Sequence, residues 1–160
     1  MHIDRNEKIY LIGSIILLVV FALAIFISGF AYGIQVPLPE AQVNPNTVAT
    51  PGASPWGAPA EERVRELAPG KYEAYILAQT WVFSPATVTI PAGSEVTFYL
   101  TSKDVQHGFI LQGTNINMMV LPGQVSKLTA TFNNPGEYFF ICHEYCGVGH
   151  QTMYGRLIVE

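Results

Sequence analysis

In the run Glu95-Val96-Thr97-Phe98-Tyr99-Leu100, the apolar residues Val96, Phe98 and Leu100 alternate with Glu95, Thr97 and Tyr99. A period of two is the signature of a strand with one face on a core. The same texture continues on both sides, as short β-branched and aromatic runs at Tyr72–Gln79, Thr87–Ile90, Glu95–Ser102, Gln124–Phe132, Glu137–Cys142 and Arg156–Val159. Turn signals at Pro91–Gly93, Pro122–Gly123 and Pro135–Gly136 separate them. Together they predict an antiparallel all-β sandwich or barrel over residues 72–160, with no internal repeat.

The N-terminal part has another character. Hydrophobic residues make up 49% of the 160-residue chain and charged ones 12%, and the run Ile9–Ala31 holds no charge, no proline and two glycines. About 20 apolar residues in a helix cross a bilayer, so residues 9–35 are expected to form a transmembrane helix. A cleaved secretory signal has a shorter apolar region of about 7 to 15 residues, so retention as an anchor is favoured. Arg5 and Lys8 precede the span, and the next basic residue is Arg63. By the positive-inside rule residues 1–8 stay in the cytoplasm, and the C-terminal domain faces the periplasm or the exterior of a single-pass plasma-membrane protein. Residues 36–71 read as a Pro- and Ala-rich tether carrying a short helix at Ala60–Leu67. A net charge of −4 argues against a nucleic-acid partner.

The chemistry is concentrated in Cys142-His143-Glu144-Tyr145-Cys146-Gly147-Val148-Gly149-His150-Gln151-Thr152-Met153. Thiolates outside the cytoplasm persist as disulfides or metal ligands. A Cys142–Cys146 disulfide leaves His150 and Met153 unexplained, and a structural zinc site has no use for a thioether. A mononuclear blue-copper site needs two His, one Cys and a weak axial Met, so here there is one cysteine too many. Two thiolates separated by three residues can instead bridge a pair of coppers, which then requires a second imidazole from elsewhere. His107, in Asp104-Val105-Gln106-His107-Gly108, is the candidate.

The pattern C-x-E-x-C-G-x-x-H-x-x-M preceded by D-x-x-H, on a β domain behind a membrane anchor, resembles subunit II of haem-copper cytochrome c oxidases. The single span, His107-Gly108-Phe109 through Asn117, and Leu121-Pro122-Gly123 resemble the B family in particular. The resemblance implies a cupredoxin-like Greek-key barrel with a binuclear CuA centre. Carried over by position, Cys142 and Cys146 bridge the coppers, His107 and Met153 complete one, and His150 with the Glu144 carbonyl completes the other. It further implies an electron-transfer subunit, not catalytic in isolation, that takes electrons from a c-type cytochrome or another small periplasmic carrier. Its partner would be subunit I, which carries the haems, reduces oxygen to water and pumps protons. His143 and Glu144 depart from the B-family pattern, and the Glu144 carboxylate is a candidate magnesium ligand. Trp81 falls where the family carries an aromatic beside the copper, at the point where electrons enter. Glu7, just before the span, falls at an offset similar to that of a B-family glutamate at the mouth of the catalytic subunit's proton-uptake channel, so the resemblance implies a role in proton uptake. Rival readings of the same motif are a CuA subunit in nitric oxide or nitrous oxide reduction, and a membrane-anchored copper carrier.

Overall fold

The computed structural model describes residues 4–37 and 39–160, so residues 1–3 of the expected cytoplasmic segment lie outside the described residues. It divides into two compact units, residues 1–35 and 36–160.

The first unit is one helix, α1 (Arg5–Ala31), of 27 residues, about 40 Å at 1.5 Å per residue. Asp4 caps its start, its carboxylate accepting from the Asn6 backbone N–H at 2.7 Å. Gly33 closes its end in a left-handed conformation (φ 56°). There the N–H groups of Gly33 and Ile34 bond the carbonyls of Phe30 and Gly29, a Schellman ending. The helix therefore stops short of the residue 35 expected from sequence. It has no buried residue, and it is long and apolar enough to cross a membrane. An all-round apolar surface is what a lipid solvent requires.

Among the described residues the second unit contains eleven strands: β1 (Pro39–Gln42), β2 (Val64–Ala68), β3 (Lys71–Gln79), β4 (Val82–Ser84), β5 (Thr87–Ile90), β6 (Ser94–Ser102), β7 (His107–Leu111), β8 (Asn117–Val120), β9 (Gln124–Phe132), β10 (Gly136–Ile141) and β11 (Tyr154–Val159). One sheet runs β1-β9-β6-β3-β2, with β4 also on β3, and the other runs β5-β11-β10-β7-β8. The alternation in β6 is realised, with Val96, Phe98 and Leu100 fully buried between the sheets. Phe83, Phe109 and Phe140 meet there with ring centroids 5.0–5.6 Å apart.

Three expectations need correction. The sandwich is not purely antiparallel: β3 pairs with β6, and β5 with β11, in parallel. The chain crosses to the second sheet between β3 and β6, so the two strands run the same way. No helix forms at Ala60–Leu67; a 3-10 turn at Ala60–Glu62 leads into β2, which pairs antiparallel with β3. Two isolated helical turns are marginal in water, whereas the β3 edge offers a ready ladder. The tether is folded onto the domain as well. β1 pairs with β9, and Val48 and Trp56 are buried against Leu77 and Val125, with the Trp56 indole N–H donating to the Ile76 carbonyl at 3.2 Å. Met118 and Met119 lie in β8.

Candidate metal centre

β10 and β11 pair antiparallel up to the last residue of β10 and the first of β11, Ile141 opposite Tyr154. Residues 142–153 thus form the loop of a long hairpin, and its ends are tied by the Cys142 N–H bonding the Met153 carbonyl at 3.0 Å. A 3-10 turn at His150–Thr152 turns the loop back on itself. β7 pairs with the other edge of β10, Ile110 opposite Ile141, which carries His107 up to the same end of the sandwich.

The result is a knot of soft donors. The Cys142 and Cys146 sulphurs face each other at 3.8 Å, and both thiols are free and buried. A disulfide needs about 2.05 Å, so that alternative is not formed. His107 Nδ1 lies 3.8 Å from Cys142 Sγ, and His150 Nδ1 lies 3.5 Å from Cys146 Sγ. Met153 Sδ is 3.7 Å from Cys146 Sγ, and the Glu144 carbonyl oxygen is 3.2 Å from Cys142 Sγ. All six residues singled out from sequence converge. A donor set of two thiolates, two imidazoles, a thioether and a carbonyl fits copper, and is too soft for a hard cation. Burial, followed by the charge of Cys142, pushes the Cys146 thiol up to about 11.

Asp104 sits behind His107. Its Oδ1 is 2.9 Å from His107 Nε2 and accepts from the Val105 N–H at 2.7 Å, while Oδ2 accepts from the Thr80 N–H at 2.6 Å and the Thr80 hydroxyl at 2.9 Å. Partial burial works to raise this carboxyl, but the bonds from His107, Thr80 and Val105 outweigh it and hold it at about 2.

Trp81 follows Thr80 and is 40% exposed, so it lies on the surface and is not core. Its indole N–H donates to the Cys146 carbonyl at 3.2 Å. The loop glycines explain its seat. Gly147 adopts φ +116°, open only to glycine, whereas Gly149 has an ordinary φ of −92° and is needed for a different reason. A Cβ on Gly149 would come within 2.5 Å of the Trp81 ring.

His143 packs on Gly108 in the same way, since a Cβ there would meet the imidazole at 2.5 Å. Its Nδ1 lies 3.5 Å from a Glu144 carboxylate oxygen, and the other oxygen accepts from Gln106 Nε2 at 3.4 Å. Sequence reasoning missed Thr80, which belongs to no recognisable motif. Glu7 is remote from this site in the chain, exposed in the first turn of α1.

Fold and donor set define a cupredoxin-like domain with a soft metal centre at one end. The family described as "Cytochrome C oxidase subunit II, periplasmic domain" matches residues 71–159. Cytochrome c oxidase subunit 2 of Thermus thermophilus is 46% identical over 119 residues, covering 74% of this chain and 86% of that protein. The cryo-EM structure of a haem-copper terminal oxidase dimer contains a chain that superposes with a TM-score of 0.77 at 36% identity, covering 98% of this chain and all of the other. The periplasmic domain of cytochrome oxidase subunit II from Bradyrhizobium japonicum shares the fold over 55% of this chain and 83% of its own, with a TM-score of 0.51 at 17% identity. The chain belongs to the cytochrome c oxidase subunit II family and is one subunit of a respiratory oxidase complex. One apolar helix among the described residues and a periplasmic-type domain fit a single-pass membrane protein.

Proposed function

We propose that Cys142 and Cys146 bridge two coppers in a CuA-type centre, with His107, Met153, His150 and the Glu144 carbonyl completing the coordination. The observation that carries this is the pair of unbridged sulphurs 3.8 Å apart, each flanked by an imidazole nitrogen. Held by these residues, a copper pair would supply fast one-electron transfer, because the electron would be shared by both metals and little would have to move between redox states.

The protein's own residues supply rigidity and access. The hairpin ends and the 3-10 turn hold the donors, and Trp81 backs the loop through its bond to the Cys146 carbonyl. Trp81, Val82, Val105, Tyr145 and Val148 are exposed apolar side chains on or beside the metal-bearing loops. They suit a c-type cytochrome donor docking by apolar contact, with electrons entering at Trp81. From Tyr72 to Glu160 there are three basic and six acidic residues, so charge steering is modest. Electrons then pass to the haem-bearing subunit I, which reduces oxygen to water and pumps protons. The domain faces the periplasm, the N-terminus faces the cytoplasm, and Glu7 serves proton uptake there. A magnesium ion at the Glu144 carboxylate rests on the family resemblance alone, since the groups beside its oxygens, His143 Nδ1 and Gln106 Nε2, are nitrogens.

Copper stoichiometry and electron spin resonance on the full chain in detergent test the reading. Two coppers and a hyperfine pattern from one electron shared equally are expected; a mononuclear pattern would refute it. A labile site with variable stoichiometry would instead favour a copper carrier. Reduction rates that fall by orders of magnitude with added salt would overturn the apolar docking surface.

A further inference from the structure

We infer that Asp104 is a positioning residue that locks His107 in a single tautomer and ties it to the Trp81 turn, and so tunes the copper pair; this rests on the copper reading above. The His107 side chain is fully buried, and its two nitrogens face different groups. Nε2 is 2.9 Å from the Asp104 carboxylate, while Nδ1 faces the Cys142 sulphur at 3.8 Å. An ionised carboxylate only accepts, so the imidazole proton must sit on Nε2. That leaves the Nδ1 lone pair free on the side where the thiolates are. A metal-bound histidine whose other nitrogen donates to a carboxylate is both oriented and made a stronger donor.

The second half of the argument is the set of partners. The Thr80 N–H, the Thr80 hydroxyl, the Val105 N–H and His107 Nε2 are all donors to Asp104, divided between its two oxygens. Ser102 Oγ adds a longer contact at 3.3 Å. Only a carboxylate, acceptor on both oxygens, satisfies both sides; an amide must turn its NH2 group toward a donor on one of them. Thr80 precedes Trp81, whose indole bonds the Cys146 carbonyl. One carboxylate therefore connects the histidine half of the site to the turn that carries the aromatic against the cysteine half. Its negative charge, one residue contact from the metals, favours their oxidised state.

The test uses the full chain in detergent, as wild type, Asp104→Asn and Asp104→Ala. With 15N-labelled histidine and no metal, wild-type His107 is expected as the Nε2–H tautomer alone, and Asp104→Ala as a mixture. A wild-type Nδ1–H tautomer would overturn the inference. With copper loaded, Asp104→Asn, which preserves volume, is expected to keep the two-copper hyperfine pattern and shift the reduction potential positive. A simple packing role would not move the potential while sparing the spectrum. Wild-type potentials in both variants would refute the tuning role. If wild-type chain takes up no copper pair, the function reading fails, and the metal-free tautomer still decides for or against the lock.

Discussion

Gly149→Ala measures how tightly the loop and Trp81 are fitted. The added Cβ would lie 2.5 Å from Trp81 Cδ2 and 2.7 Å from Cε3 and Cγ. Carbon–carbon contact is comfortable at about 3.5–4.0 Å, so ring or loop must give by about 1 Å. The clash is with the root of a rigid indole, not the tip of a flexible chain. A displacement of that size stretches the bond to the Cys146 carbonyl, now 3.2 Å, to about 4 Å, beyond hydrogen-bond range. Overpacking costs about 1–3 kcal/mol and the lost bond about 1 kcal/mol, so a destabilisation of about 2–4 kcal/mol is expected. Denaturant unfolding of the metal-free full chain, followed by circular dichroism, reads it. The decisive arm is the double-mutant cycle. In a Trp81→Ala background the same glycine substitution no longer meets the indole and should cost under about 0.5 kcal/mol. Stopped-flow reduction by cytochrome c should show the same coupling, Gly149→Ala slowing a wild-type chain and adding nothing to Trp81→Ala. Equal losses in both backgrounds would show that the loop does not rest on Trp81.

Cys146→Ser should abolish the binuclear spectrum, whereas Met153→Leu should retain two coppers and shift the potential, because a thioether is a weak, long ligand; spin resonance and redox titration distinguish them. In the metal-free chain the Cys146 thiol is raised from 9.0 to about 11 by folding, so the folded state holds its proton longer than the unfolded one. That stabilisation is complete below pH 9 and is lost as pH climbs toward 11, so unfolding free energy should fall across this window, and less so in Cys146→Ala. Copper uptake must release thiol protons, so apparent affinity should rise with pH through neutrality. Glu7→Gln in the assembled oxidase should slow proton uptake and oxygen reduction while reduction of copper by the donor stays fast; normal turnover and pumping would return Glu7 to an ordinary interfacial charge.

Much of this was legible in one dimension because local rules govern it. The apolar run Ile9–Ala31 is a helix whatever follows it, and the alternation at Val96, Phe98 and Leu100 specifies one buried face. The cysteine-rich loop announced its chemistry because its donors are close in sequence, and His107 was found by asking what that loop lacked. The mistakes came where long-range pairing decides. Nothing local in AEERVREL distinguishes two weak helical turns from a strand, and the free β3 edge made the choice. The tether looked unstructured because Val48 and Trp56 are widely spaced anchors, meaningful only once Leu77 and Val125 form a surface for them. The parallel pairs follow from which sheet each connection crosses to, a global property of the chain path. At the site, residue types could be read from sequence, but orientation could not. That Asp104 takes Nε2 of His107 and leaves Nδ1 toward Cys142, and that Gly149 is small because an indole from another strand connection lies over it, are contacts across 3, 35 and 68 positions. Such contacts exist only when the sandwich closes, because the free energy that orients each ring comes from neighbours the chain brings together by folding.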